Sequence, residues 1–388
     1  MINRKIFDLI ASRLKAYPAV ALLGPRQSGK TTLAKTLSTA YYDLELEPEK
    51  LRLDLQWDEI IQSRETVILD EAQNYPGIFP RIRNAIDTRR KSNGRFLILG
   101  SISPALMRQV SESLTGRLAI CELSPFHLSE IPRNKADLLW LMGGFPDGGL
   151  LDTRQFPEWQ RNYLDLLAMR DLPNWGLPAS GSVTQRFFKM IAAAHGTLWN
   201  ASQIGKSMGI SYHTANSYLD YLEQAYLVRR IRPFSTNVRK RLVKSPKVYW
   251  RDSGLLHSLM GVTNMDTLLV QPWVGVSWEG WVIEQILSQL NIQGMDFEVF
   301  FLRTSDGYEI DLLLRIQGKL WAIEVKLSSA PANADLERLT KAADLVGAGE
   351  RIIVSRTQTE IAGTKAISTN IAGMLRRLTA LKLEKHPR

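Results

Sequence analysis

The chain has 388 residues, of which 45% are apolar and 23% charged, which excludes a disordered or low-complexity polypeptide and leaves room for two or three domains. The single cysteine, Cys121, excludes an intramolecular disulfide and a cysteine-based zinc site. A formal net charge of +10 points to an anionic partner without saying where it binds. The first seventeen residues place Ile2, Ile6, Leu9, Ile10 and Leu14 among Arg4, Lys5, Asp8, Arg13 and Lys15, the pattern of an amphipathic helix rather than a signal peptide. No stretch reaches transmembrane length, so a cytoplasmic protein with no membrane partner is expected.

An apolar run, Ala19 to Leu23, leads into Gly24-Pro25-Arg26-Gln27-Ser28-Gly29-Lys30-Thr31-Thr32 and then a helix-like segment, Thr32 to Leu37. Two glycines around four residues, followed by Lys-Thr, have the spacing and the strand–loop–helix setting of a phosphate-binding loop. Such a loop turns backbone N–H groups towards phosphate oxygens and sets them at a helix N-terminus. Lys30 would reach the β- and γ-phosphates of ATP, and the Thr31 hydroxyl would ligate Mg²⁺. The next motif is Thr66-Val67-Ile68-Leu69-Asp70-Glu71-Ala72-Gln73, a strand ending in adjacent carboxylates. Asp70 would hold Mg²⁺ through water, and Glu71 would orient or deprotonate the attacking water. Asp70-Glu71-Ala72-Gln73 is also similar to a helicase box, but a helicase of that type needs a second nucleotide-binding lobe, which the sequence lacks.

Strands are expected at Val20–Leu23, Tyr41–Leu46, Val67–Asp70, Phe96–Gly100 and Leu118–Leu123, with helical segments between most of them, which implies a parallel sheet covered on both faces. Ser101, after the fourth strand, could sense the γ-phosphate or cap a helix. Arg117, in Leu114-Thr115-Gly116-Arg117, could contact phosphate in its own subunit or in a neighbouring copy of a homo-oligomer, or lie on the surface.

A Pro/Gly-rich junction, Gly143 to Gly149, marks a domain boundary, and helices are expected over Trp159–Asp171 and Thr184–Ala194. Asn200 to Ser211 reads as helix, glycine turn, helix, with Ser202 and Ser211 as N-caps and a second helix from Tyr212 to Ala225, a helix-turn-helix pattern. The segment after it, in the place of a winged-helix hairpin, carries Arg229, Arg230, Arg232, Arg239, Lys240, Arg241, Lys244, Lys247 and Arg251 with no Asp or Glu among them. It could grip nucleic acid, with DNA favoured, although many winged helices bind protein.

Near the C-terminus, Tyr308 to Arg315 and Leu320 to Lys326 form a hairpin around Gln317-Gly318. Side chains alternate along a strand, so Glu324 and Lys326 share a face that Asp311 could meet. Asp, then Glu-x-Lys on the next strand, is the layout of restriction-endonuclease-like nucleases: the carboxylates would hold Mg²⁺ and Lys326 would help to generate the attacking hydroxide. The helix Ser277–Leu290 offers Glu279 and Glu284 as a further carboxylate, Glu284 being preferred. With strands Glu298–Arg303 and Arg351–Ser355 and helix Asp335–Val346, the order is α-β-β-β-α-β. A degenerate, non-cleaving version of that fold is the alternative.

With these residues in hand, the chain resembles a prokaryotic family of AAA-type ATPases in which a P-loop domain is fused to a C-terminal domain of unknown function. The matching pieces are Gly24 to Thr32, Leu69 to Gln73, Gly100-Ser101, Leu114 to Arg117, Gly143-Gly144-Phe145-Pro146, Pro246-Lys247-Val248-Tyr249, Asp252-Ser253-Gly254, Glu309-Ile310-Asp311 and Glu324-Val325-Lys326. Relatives often carry Thr where this chain has Leu99, which leaves any polar role there to Ser101. The resemblance implies ATP binding and hydrolysis but supplies no physiological substrate. The expected fold is α/β, with a P-loop NTPase parallel-sheet domain over residues 1–135 and a helical lid or linker over 136–183. A winged-helix domain over 184–262 and a small α/β restriction-endonuclease-like domain over 263–388 follow. Three functions fit: an ATPase acting on nucleic acid, a nucleotide switch that binds a protein partner, or an ATP-regulated metal-dependent nuclease.

Overall fold

A computed structural model describes residues 2–101, 113–235 and 244–384, without the side chains of Ser101 and 382–384. The chain divides into two units, one built mainly from residues 1–126 and the other mainly from 127–388. Among the described residues no helix is long and apolar enough to cross a membrane.

The first unit is an α/β sheet. Its strands are β1 (Ala19–Gly24), β2 (Tyr41–Asp43), β3 (Val67–Asp70), β4 (Phe96–Ser101) and β5 (Leu118–Glu122). They lie in the order β2-β3-β4-β1-β5 and every pairing is parallel. Each residue of β1 and of β3 is buried, as strands covered on both faces require. Helices α1 (Phe7–Ala16), α2 (Lys30–Ala34), α3 (Glu47–Leu55), α4 (Trp57–Gln62) and α5 (Ile78–Thr88) interleave with them. Ile78, Phe79, Ile82, Ala85 and Ile86 of α5 join Leu53, Ile60, Leu69, Phe96 and Ile98 in one core. β2 stops at Asp43, short of the expected Leu46, because the chain turns there: the Glu45 amide donates to the Asp43 carboxylate. The two carboxylate-bearing and phosphate-loop strands both end at the same rim of the sheet, where ligands of open parallel sheets bind.

The second unit begins with α6 (Ala136–Met142), α7 (Glu158–Leu166) and α8 (Gly181–Ala193). Then come β6 (Thr197–Leu198), α9 (Ala201–Met208), α10 (Tyr212–Gln224), β7 (Val228–Pro233) and β8 (Lys247–Trp250). β8 pairs antiparallel with both β6 and β7. The N-cap of α9 is Asn200, whose side chain accepts from the Gln203 amide, and not Ser202; Ser211 caps the start of α10 by accepting from the Thr214 amide. Helices α11 (Ser253–Leu259), α12 (Met265–Leu269) and α13 (Val274–Ile292) lead into β9 (Phe297–Arg303), β10 (Glu309–Ile316), β11 (Lys319–Val325), α14 (Asn333–Val346) and β12 (Glu350–Ser355). Two short strands, β13 (Ile361–Ala362) and β14 (Ile367–Asn370), and α15 (Ile371–Glu384) follow. The nine strands form one sheet, β13-β14-β12-β11-β10-β9-β7-β8-β6. β7 pairs parallel with β9 through Arg232–Phe300 and Pro233–Phe301, so the sheet runs across the boundary expected at residue 262.

The glycine-rich junction and the Asp252-Ser253-Gly254 motif explain each other. Buried Asp252 accepts from the amides of Gly144 (2.8 Å) and Leu255 (2.9 Å), capping α11 and fastening the junction to it. Burial lifts the Asp252 carboxyl to about 6, against the opposing pull of the Gly144, Leu255 and Gly254 amides. Gly143 has φ 80° and ψ −177°, a region open only to glycine, and a Cβ there would lie 2.1 Å from the Asp252 carboxylate. At Gly254 a Cβ would lie 1.9 Å from the Met142 carbonyl oxygen. Gly143→Ala is therefore expected to lower the stability of the second unit by at least ~2 kcal/mol, the sum of backbone strain and a displaced buried carboxylate. Urea denaturation followed by tryptophan fluorescence checks this; an unchanged midpoint would contradict the latch.

Candidate nucleotide site

β1 delivers the phosphate loop. The strand is tied at its end by the Leu123 amide donating to the Leu23 carbonyl (2.7 Å). Gly24 is needed there for close approach, since a Cβ would meet the Leu123 carbonyl oxygen at 2.2 Å. The turn that follows uses left-handed backbone at Gln27 (φ 58°) and Gly29 (φ 93°). Left-handed residues inside a turn point successive amides into a common concavity, an anion-binding nest. Ser28 closes the loop from within, its buried hydroxyl donating to the Pro25 carbonyl at 2.9 Å. Helix α2 begins at Lys30 and spans only five residues, where Thr32 to Leu37 was expected. So short a helix carries a small dipole, and the amide nest supplies most of the attraction for phosphate.

Lys30, the first residue of α2, is 6% exposed and its ammonium donates to the carbonyls of Gly24 (3.1 Å) and Pro25 (2.8 Å). Burial lowers its pKa to about 8, partly offset by Glu71 and Asp70. Next to it, the Thr31 hydroxyl donates to Asp70 Oδ2 at 2.6 Å. Thr32 is exposed, and Arg26 and Gln27 lie at the rim.

Asp70, at the end of β3, is 3% exposed and heavily solvated by the protein itself. Besides Thr31 it accepts from the Tyr41 hydroxyl (2.9 Å) and, at Oδ1, from the Glu71 amide (2.9 Å). Burial first, and the Asp70 carboxylate second, hold the Tyr41 phenol protonated. Glu71 follows in left-handed backbone, φ 48° and ψ 44°, which costs a non-glycine residue roughly 1–2 kcal/mol. Its carboxylate accepts from the Gln73 side-chain amide, which fixes its direction. Strain at a carboxylate beside a phosphate loop is characteristic of a functional position. Hydroxyl and carboxylate oxygens are the hard donors that Mg²⁺ takes, and Thr31 and Asp70 would hold it together with nucleotide phosphates. Among the described residues no group of three His, Cys, Asp or Glu could hold a metal by itself.

Three participants escape sequence reasoning. Tyr41 and Gln73 orient the two carboxylates, as just described; only Gln73 had a signal, as part of the acidic motif. Arg4 has none: its buried guanidinium donates to the Ser28 carbonyl (2.8 Å) and the Ser124 carbonyl (2.6 Å) and stacks over Phe126 at 4.4 Å. It braces the outer side of the phosphate loop. Ser101 is paired with Gly24 across β4 and β1, which sets its backbone beside the loop. Arg117 lies on a side-chain fork with Asp87 of α5, at 2.8 and 2.9 Å, rather than on this site.

Family comparisons place a boundary close to the one between the two units and divide the second unit again. A family described as an AAA domain matches residues 16–132, and two described as domains of unknown function, DUF8612 and DUF4143, match 133–266 and 274–372. The uncharacterised proteins Mb2031c of Mycobacterium bovis and Rv2008c of Mycobacterium tuberculosis are each 35% identical to it over 320 residues, 81% of this chain and 71% of theirs. The chain belongs to this prokaryotic family of AAA-type P-loop ATPases with additional C-terminal domains. Among solved structures, the Walker-type ATPase PABY2304 of Pyrococcus abyssi is similar at 16% identity, with a TM-score of 0.48 over 67% of this chain and 96% of that one.

Elsewhere in this AAA-type protein the structure corrects two expectations. Four of the six described basic residues of the acid-free segment are paired with carboxylates. Arg229 and Arg251 both pair with Glu284, and Arg230 pairs with Glu223 and Asp220. Lys247 is 4% exposed and pairs with Glu279 and Glu309. Arg232 and Lys244 are exposed, and Arg239, Lys240 and Arg241 lie outside the described residues. The second correction is Glu284, which does not join Asp311. Its carboxylate is consumed by the two arginines, which outweigh its burial and hold it ionised below the usual carboxylate range. Glu279, on the preceding turns of α13, faces Asp311 instead. Asp311 and Glu324 do come together: burial, then the neighbouring Glu279, lifts Asp311 to about 7, burial, then Asp311, lifts Glu324 to about 7, and Lys326 pairs with Glu324 at 2.7 Å.

The depressed Lys30 sets a pH dependence. In the nucleotide-free protein the ammonium gives up its proton above about pH 8, so affinity for the triphosphate should be flat near pH 7. Above pH 8 it should weaken by up to about tenfold per pH unit, as each bound nucleotide then requires proton uptake. Calorimetry with Mg²⁺ and a non-hydrolysable ATP analogue between pH 7 and 9.5 measures it, and a flat profile would show that Lys30 stays protonated across this range.

Proposed function

We propose that the AAA domain hydrolyses Mg-ATP. What carries this reading is the contact between Thr31 and Asp70 beside the buried Lys30 loop, with Glu71 held next to it by Gln73. ATP would lie with its phosphates in the nest from Gly24 to Thr32, and Mg²⁺ would supply electrophilic stabilisation of the γ-phosphate when bound. The chain's own residues do the rest. Lys30 leaves its two loop carbonyls for the β- and γ-phosphates. Tyr41 and the Glu71 amide hold Asp70 in one orientation, and Glu71 accepts the proton of the attacking water. Lys30→Ala should abolish nucleotide binding, measured by calorimetry. Glu71→Gln should bind ATP normally but hydrolyse it on the order of 100-fold more slowly, since shape survives and basicity does not. Unchanged turnover in Glu71→Gln would remove it as the base. If Arg117 acts on a neighbouring subunit's nucleotide, it must first exchange Asp87 for phosphate.

Action on nucleic acid is the wider reading. The order α8-β6-α9-α10-β7-β8, with β8 between two antiparallel partners, is that of a winged helix, and it supports the helix-turn-helix interpretation. Arg232 and Lys244 would contact phosphate. Internal pairing of Arg229, Arg230, Lys247 and Arg251 narrows that surface and favours, as the second reading, a nucleotide switch that binds a protein through the same module. Duplex DNA should bind with an affinity that falls steeply with salt, and Arg232→Ala with Lys244→Ala should reduce the logarithmic slope by about 2. Salt-independent affinity, or no binding, would leave the protein-switch reading.

A further inference from the structure

The most unusual charge arrangement outside the nucleotide site surrounds Lys247. This residue stands in the middle strand of the three-stranded β6-β8-β7 arrangement, its backbone paired with Leu198 on one side and Ile231 on the other. Its side chain crosses to the C-terminal hairpin. The ammonium lies 2.9 Å from Glu309 Oε1, 3.2 Å from Glu279 Oε1 and 3.9 Å from Asp311 Oδ1, and packs over Phe301 at 5.6 Å. Tyr249, two residues on and therefore on the same face of β8, donates its hydroxyl to the same Glu279 oxygen. Asp311 accepts from the Val325 amide at 2.9 Å through its other oxygen. Lys326 completes the group from the far side, 2.7 Å from Glu324 and 3.9 Å from Asp335.

The tail has the element order and the Asp…Glu-x-Lys residues of a metal-dependent nuclease, but its oxygens do not fit a metal. A divalent cation needs several oxygens converging on it at about 2.0–2.6 Å. Here Glu279, Glu309 and Asp311 converge on an ammonium. The fourth carboxylate, Glu324, is turned to Lys326, and Glu284, the remaining acid of α13 offered for this role, is held by two arginines. A divalent ion taking these same oxygens would have to displace the Lys247 ammonium from them, because two cations held at contact distance in a buried setting repel. The lysine cannot retreat by moving its backbone without unzipping β8 from both neighbours.

We infer that Lys247 is a built-in cation standing where a nuclease would hold its metal, so that the C-terminal module does not cleave and instead fastens β8 to the hairpin β10–β11. Three carboxylates share one tethered charge, and the module's work is to hold the winged-helix-like strands in register with the tail.

The test uses the full-length chain in an Asp70→Asn background, which removes the metal-facing carboxylate of the nucleotide site, freed of metal by chelation. Mn²⁺ is titrated in and its free fraction read by electron paramagnetic resonance. No saturable site tighter than about 1 mM is expected. Replacing the ammonium with a neutral side chain of similar length, Lys247→Met, should lower the melting temperature and create a Mn²⁺ site at least tenfold tighter, with millimolar Mn²⁺ restoring the melting temperature. Adding Asp311→Asn should abolish that uptake. The inference is overturned if the protein with Lys247 intact binds Mn²⁺ saturably and loses it on Asp311→Asn. It is equally overturned if Lys247→Met neither loses stability nor gains Mn²⁺, or if the wild-type chain nicks DNA with Mg²⁺ in a manner lost in Asp311→Ala. Should Lys247→Met fail to fold, the first titration decides alone.

Discussion

An ion removed from water must be met by an opposite charge or by oriented dipoles, and that requirement shapes both units. In the first unit it is answered by backbone and hydroxyl groups. Lys30 rests on loop carbonyls, and Asp70 accepts from Thr31, Tyr41 and an amide. Such partners are readily exchanged, because Lys30 can leave neutral carbonyls for a phosphate, and Asp70 neutral hydroxyls for a cation, without leaving a bare charge behind. In the second unit the same requirement is answered by full ionic partners: Glu284 with Arg229 and Arg251, and Lys247 with Glu279 and Glu309. Breaking one side of a buried pair of that kind costs about 3–5 kcal/mol, so these contacts hold structure rather than exchange ligands. The two chemistries separate a site built to bind from a module built to stay together.

This contrast decides what the sequence could disclose. The parallel sheet was legible because its strands are short apolar runs that stop at polar motifs, Leu23 before Gly24 and Leu69 before Asp70, and because strands covered on both faces need no alternation. The nucleotide residues were legible because their spacing along the chain is itself the geometry. The element order of the tail was readable for a similar reason, since Gln317-Gly318 announces a hairpin and the flanking runs alternate.

The errors share one cause. The stretch from Arg229 to Arg251 contains no acid, yet Glu223 lies seven residues from Arg230 in sequence and Glu284 lies 55 from Arg229. A count along the chain cannot see a carboxylate delivered by another element. Glu284 was misassigned for the reciprocal reason: helical spacing puts Glu279 and Glu284 on different sides of α13, and only the packing shows which side meets Asp311. Arg4 is invisible on the same grounds, being one basic residue in an amphipathic segment until Ser28 and Ser124 turn their carbonyls to it. Tyr41 opens a strand and so reads as a buried aromatic, while its hydroxyl end reaches Asp70.

The parallel pairing of β7 with β9 has a practical corollary. A fragment ending at residue 262 would strip β7 of its neighbour, and one starting at 263 would bare β9, each leaving a long row of unpaired peptide groups beside apolar side chains such as Phe301 and Leu302. Edges of that kind seek other strands, and either half expressed alone would tend to associate with itself. The smallest portion that stays monodisperse outside the AAA domain therefore has to carry both stretches together.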